Sequence, residues 1–176
     1  MQDSAYQHRI HLELARLGIP MHWIIDKQLP FYPEANELVV AEADDRGREY
    51  LLTPLANGAW QQMKQQAMRD GIVLEIVSSF RTIERQIEII QNKIDRNMPM
   101  DVILTLSAPP GYSEHHTGRA IDINTPGCAP TEPAFADTAA FAWLCRHASR
   151  FDFALSYPEG NTLGFIYEPW HWCHQS

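Results

Sequence analysis

The chain has 176 residues, 45% of them apolar and 20% charged, with a formal net charge of -8 at pH 7. Those proportions fit one soluble globular domain with a sizeable core. The acidic excess argues against general nucleic-acid binding, which needs a basic footprint, and no apolar run approaches the roughly 20 residues that span a bilayer.

The N-terminal stretch MQDSAYQHRIHLELARLGIP has no basic region ahead of an apolar one, so no signal peptide is expected. Cys128, Cys145 and Cys173 form no CxxC pair and suggest no disulfide framework. A cytoplasmic location is therefore the expectation, with the periplasm as the alternative. Residues 4–17 predict a first helix, ended by Gly18 and Pro20. His8 and His11 lie three apart on it with no further ligand nearby, and read as a solvated face. Residues 20–52 read as extended and loop-rich. Within them, Glu37–Val40 and Tyr50–Leu52 flank the turn signal Asp44-Asp45-Arg46-Gly47 and predict a hairpin.

Thr53-Pro54 opens a second helix with a capping hydroxyl and a proline at its first position. Leu55, Ala59, Trp60, Met63 and Ala67 give it an apolar stripe, and Asp70-Gly71 closes it. Ile72–Val77 predicts a central strand, followed by Ser78-Ser79-Phe80-Arg81-Thr82. Ile83, Ile87, Ile90 and Ile94 then mark another helix. Arg81 thus lies between a strand end and a helix start, where the scaffold holds a group open to solvent. Its guanidinium suits a carboxylate or a developing oxyanion; an ion pair with Glu84 or Glu88 is the structural alternative. Gln86 falls on the first turns of the same helix.

Residues 99–107 predict a short helix, and Ala108-Pro109-Pro110-Gly111 an irregular approach to Ser113-Glu114-His115-His116-Thr117-Gly118-Arg119-Ala120-Ile121-Asp122. His115 and Asp122 are good metal ligands. On a continuous helix they would sit roughly 10 Å apart along the axis, and on one extended strand they would face opposite ways. Both can reach one ion only if the chain folds back between them, and Gly118 is the expected place. From Arg119 onward, alternation predicts a strand with Ile121 and Ile123 on one face and Asp122 on the other.

Residues 136–149 predict a helix carrying His147 near its C-terminus. Residues 153–157 predict a strand, 158–161 a turn, and 162–167 its returning partner. That strand leads to Glu168-Pro169-Trp170-His171-Trp172. Glu168 and His171, three apart, can converge if the chain turns once. His171 would supply a third ligand, with His174 as the competing candidate, and a carboxylate beside the ligands suits a proton acceptor. Trp170 and Trp172 would wall the site.

Taken together, Ser-x-His-x-x-Gly-x-Ala-x-Asp at 113–122 and Glu-Pro-Trp-His-Trp at 168–172 resemble the VanY-type zinc D-alanyl-D-alanine carboxypeptidases. Ser78-Ser79-Phe80-Arg81-Thr82 matches that family's upstream Ser-x-Tyr-Arg-Ser element, with phenylalanine for tyrosine, and Leu155-Ser156-Tyr157-Pro158 resembles the strand before its last motif. The resemblance covers about residues 72–173; residues 1–71, an N-terminal helix and hairpin, have no matching role within one domain spanning 1–176. It implies an α+β fold: a small, mainly antiparallel sheet, helices packed on one face, and a zinc site at the open side, as in hedgehog and D,D-peptidase domains. It implies one zinc ion on His115, Asp122 and His171, with Glu168 as general base. Arg81 would polarise the scissile carbonyl or bind the substrate terminus, and Ser113, Gln86 and Trp170 would contact substrate. The implied substrate is a peptidoglycan stem peptide or muropeptide, cut before a C-terminal D-amino acid with D,D or L,D specificity. A peptidoglycan endopeptidase of the same family, or a non-catalytic zinc or peptide-binding module, is the alternative. Oligomeric state is not legible.

Overall fold

The computed structural model describes residues 2–175. Among these residues, six α-helices and six strands follow in chain order: α1 (Gln2–Arg16), α2 (Met21–Asp26), β1 (Val39–Ala43), β2 (Glu49–Leu52), α3 (Pro54–Arg69), β3 (Glu75–Ser78), α4 (Ile83–Asp95), α5 (Met100–Leu106), β4 (Ala120–Asn124), α6 (Ala139–His147), β5 (Phe153–Leu155) and β6 (His171–His174). The fold is the expected α+β arrangement. Strands β3, β4, β6 and β5 form one sheet in that order, every pair antiparallel, and β1 and β2 form the predicted hairpin. Among the described residues, no helix is long and apolar enough to cross a membrane.

Local chemistry sets the helix starts. The Thr53 hydroxyl accepts from the Ala56 amide ahead of Pro54, and the Thr82 hydroxyl accepts from the Arg85 amide, each satisfying a donor that the first helical turn leaves open. Ile76, Ile121, Ile123 and Trp172 point from the sheet into a core closed by Trp60 and Met63 of α3 and Trp143 and Leu144 of α6. A second core joins α1, α4 and α5 through Ile10, Leu14, Ile83, Ile90, Ile103 and Leu104. The polar face of the sheet looks into a cleft beside this second core.

Three expectations need correcting. Residues 162–167 are not a strand. Asn161 Nδ2 donates to the Pro158 and Phe165 carbonyls, Gly164 has φ +84°, and the Ile166 amide donates to Thr105 on α5. Those bonds take the backbone away from the sheet, and β6 pairs with β5 instead. The extended stretch 20–52 contains a helix, α2. The helix predicted over 136–149 is α6 with short 3-10 turns on either side, Pro133–Asp137 and Ala148–Phe151.

The N-terminal third packs on the central motif. The Tyr32 amide donates to the Gly111 carbonyl at 2.7 Å and the Ala35 amide to the His116 carbonyl at 2.8 Å. The Glu34 carboxylate accepts from the Ile83 amide at the start of α4, and Trp23 of α2 meets Phe165 edge-on.

Candidate metal centre and catalytic site

Strand register builds the centre. Asp122 of β4 is the direct cross-strand partner of His171 of β6, so both side chains leave the sheet on the same face. Ser78 of β3 partners Asp122 from the other side. His115 arrives from a 3-10 turn, Glu114–Thr117, ended by Gly118 at φ +63°. The chain reverses there as expected. The Gly118 amide donates to the His115 carbonyl, and a Cβ on Gly118 would lie 2.7 Å from Leu38 Cδ2. His115, Asp122 and His171 present ligand atoms that all lie within 4.8 Å of one another, and all three are buried.

The tautomers are fixed from behind. His115 Nδ1 lies 2.7 Å from the Ser79 carbonyl, which accepts its proton and leaves a lone pair on Nε2, 3.3 Å from Asp122 Oδ2. His171 Nε2 lies 2.9 Å from Glu114 Oε2, which leaves Nδ1 facing Asp122 Oδ1 at 3.1 Å. Two imidazole lone pairs and a carboxylate thus converge. Three acceptors in one buried spot repel one another unless a positive charge sits between them. Burial opposes a charge on His171, but Asp122 and Glu114 outweigh it and push its pKa up to about 10. Burial also raises the Asp122 carboxyl, but His115 and His171 outweigh it and hold it well below the usual carboxylate range. The site is therefore built to hold a cation, either a proton or a metal ion. Two imidazoles and one carboxylate suit zinc, with one coordination position left open.

Glu168 stands beside these ligands without joining them. The His171 amide donates to the Glu168 carbonyl, which makes the single turn the spacing required, and Glu168 Oε2 lies 3.8 Å from His171 Nδ1. Burial and the nearby Asp122 charge raise its pKa to about 7 against the pull of His171, Arg81 and Lys93. A carboxyl group poised near neutrality suits proton transfer. Arg81 is not paired with Glu84 or Glu88, which bind Arg9 and Arg85. Its Nη1 donates to Gln86 Oε1 at 2.9 Å and its Nη2 to Ser78 Oγ at 3.0 Å. Gln86, fully buried, donates in turn to the Ala108 carbonyl.

One cavity joins these groups. It is lined by Arg81, Ser113, His115, Asp122, Glu168, Trp170 and His171, and closed by Ala108, Tyr157 and Phe165. Every expected site residue except Gln86 and Trp172 lines it, and Gln86 acts through Arg81. His174, the competing ligand, faces the other side of β6, because side chains alternate along a strand, and its ring meets Phe153. Trp172 also turns to that side, into the core. Glu114, Tyr157, Ala108 and Phe165 are the participants not singled out from the sequence. Glu114 had a signal, being a carboxylate directly before a ligand histidine. His116 is a clamp rather than a ligand: its Nδ1 lies 2.6 Å from the Arg81 carbonyl, and its Nε2 accepts from the Gly111 amide at 3.2 Å.

A mixed imidazole–carboxylate centre with a buried carboxyl group and a guanidinium around one cavity is the equipment of a mononuclear metallohydrolase. The chain belongs to the VanY D-alanyl-D-alanine carboxypeptidase family, whose model matches residues 49–176. A D-alanyl-D-alanine carboxypeptidase of Enterococcus faecalis is 32% identical over 122 residues, 64% of this chain and 44% of the relative. The chain spans about half the length of the curated relatives it matches. Among solved structures, the LdcB LD-carboxypeptidase superposes with a TM-score of 0.72 at 29% identity, covering 82% of this chain and 71% of that one. A vancomycin-resistance D,D-pentapeptidase VanY in complex with Zn(II) gives a TM-score of 0.62 at 29% identity and covers 78% of each chain.

Proposed function

We propose that this chain is a zinc carboxypeptidase that hydrolyses the peptide bond before a C-terminal D-amino acid in peptidoglycan-derived peptides. The observation that carries this reading is the convergence of His115, Asp122 and His171 beside a carboxyl group, Glu168, that is not one of them. The relatives' names supply the substrate class, which the geometry alone does not. His115, Asp122 and His171 would hold one zinc ion, which when bound supplies Lewis acidity at the scissile bond. Glu168 takes a proton from the attacking water and returns it to the departing amine. Arg81, held in place by Ser78 and Gln86, faces the carbonyl oxygen as negative charge develops there. Tyr157, Phe165 and Trp170 exclude solvent. The matched family and relatives are carboxypeptidases, which favours a carboxypeptidase over an endopeptidase.

The test is Glu168→Ala. Zinc should be retained while release of the terminal residue from tetrapeptide and pentapeptide stems is lost. Unchanged hydrolysis would remove Glu168 as the base, and inactivity of the wild type on both stems would favour a binding module. The product masses also separate D,D from L,D cleavage.

Residues 1–176 are read as one working domain. Tyr32, Ala35, Glu34 and Trp23, all outside the family match, brace the loop before the ligands, the start of α4 and the Phe165 wall. A cytoplasmic location remains part of the proposal, supported by three cysteines that are all free. Recovery from the periplasm alone would overturn it.

A further inference from the structure

Helix α4 brings more than Gln86 to the edge of the cavity wall. Gln86, Ile90 and Lys93 follow at spacings of four and three, which places them on one stripe. Gln86 fixes the Arg81 guanidinium, Ile90 is buried in the second core, and Lys93 extends the stripe two turns from Gln86. Its Nζ donates to Ser107 Oγ at 2.7 Å, one residue before Ala108 in the cavity wall. The Ser107 bond uses one of three ammonium donors. Among the described residues Lys93 makes no ion pair, although Lys64 of α3 does. The charges that act on it are those of the site itself: Glu168 attracts it and Arg81 repels it, while half-burial lowers its pKa.

Arg81 and Lys93 are differently placed. Arg81 lines the cavity together with His115, Asp122 and Glu168, and two of its nitrogens are already tied to Gln86 and Ser78. It belongs to the bond being broken. Lys93 is not one of the cavity-lining residues; it is tied to Ser107 beside Ala108 of the wall. It has donors to spare and, among the described residues, no carboxylate in ion-pair contact, Glu168 being the carboxylate whose charge acts on it. A peptide cut next to its C-terminus brings two negative centres to such a cleft, the developing oxyanion and the standing terminal carboxylate. We infer that Lys93 binds the terminal carboxylate of the departing residue and is thereby a specificity-determining residue that favours free peptide ends. The inference rests on the peptidase reading of the site.

Lys93→Gln removes the positive charge while keeping a hydrogen-bond donor on the side chain. The measurement uses the zinc-loaded Glu168→Ala protein, so that peptides stay intact, with tetrapeptide and pentapeptide stems as free acids and as C-terminal amides. Calorimetric titration should show the acids bound more tightly than the amides. Adding Lys93→Gln should weaken acid binding by about tenfold, the scale of a hydrogen bond to a charged group, with amide binding unchanged. Lys93→Arg should keep the preference. Equal binding of acid and amide before the second substitution, or an acid-to-amide ratio unmoved by Lys93→Gln, would overturn the inference. Turnover by the wild type is scored separately and tests the peptidase reading instead.

Discussion

Replacing Glu114 should loosen the metal without touching a ligand. Glu114 Oε2 accepts from His171 Nε2 at 2.9 Å and from the Ser156 hydroxyl at 2.5 Å. Burial alone would raise the Glu114 carboxyl, but the bonds to His171 and Ser156 outweigh it and keep it ionised. In Glu114→Ala, His171 loses the acceptor that holds its proton on Nε2. The proton can then shift to Nδ1, where it meets Asp122 and cancels the lone pair that would bind the ion. Losing an outer carboxylate of this kind costs about 10- to 100-fold in metal affinity, which is about 1.4–2.7 kcal/mol. Glu114→Gln keeps an acceptor but not the charge and should lose less than the alanine variant. Competition against a chromophoric zinc chelator reads both. Wild-type affinity in Glu114→Ala would show that His171 is oriented by Asp122 and the strand alone, and the positioning role would fall.

Gly118→Ala should destabilise the fold by about 2–4 kcal/mol, from the left-handed backbone and the clash with Leu38 together. Urea titration measures it; adding Leu38→Ala should restore the steric part only, and an unshifted midpoint would sink the prediction. His116 gives a pH signature in the metal-free protein. Burial holds its pKa at about 4, against 6.5 for a free histidine, although the Arg81 carbonyl pulls it upward. The unfolded chain therefore binds more protons between those values, and stability falls as pH drops from about 6.5 to about 4. At 1.36 kcal/mol per pH unit this is worth about 3 kcal/mol. The difference in unfolding free energy between wild type and His116→Gln, followed from pH 7 to pH 4.5, isolates it, and a constant difference would refute it.

The ligands and the base were legible because their spacings impose geometry. A spacing of seven from His115 to Asp122 demands a reversal, and a spacing of three from Glu168 to His171 demands a turn. A helix start was legible at Thr53, where a hydroxyl at the capping position serves a nearby amide; the matching cap at Thr82 is seen only in the structure. Register was not. That Asp122 and His171 face each other across two strands depends on pairing between segments 49 positions apart, which no local pattern encodes. The same holds for Glu114 and Lys93, whose partners Ser156 and Ser107 come from other segments. Residues 162–167 look like a strand by composition, but their backbone partners are α5 and an asparagine side chain. The bracing by Trp23, Tyr32 and Glu34 was likewise hidden, because each contact is long-range.

The direct pairing of Asp122 with His171 makes the sheet and the centre depend on each other. A slip of one residue between β4 and β6 would turn His171 into the core and bring Trp172 to the ligand position. An ion bound here therefore acts as a clasp on strand alignment, and its binding free energy is added to the cost of peeling β6 away. Amide protons of β6 should then exchange with solvent on a clock set by free zinc, even in molecules that never meet a substrate.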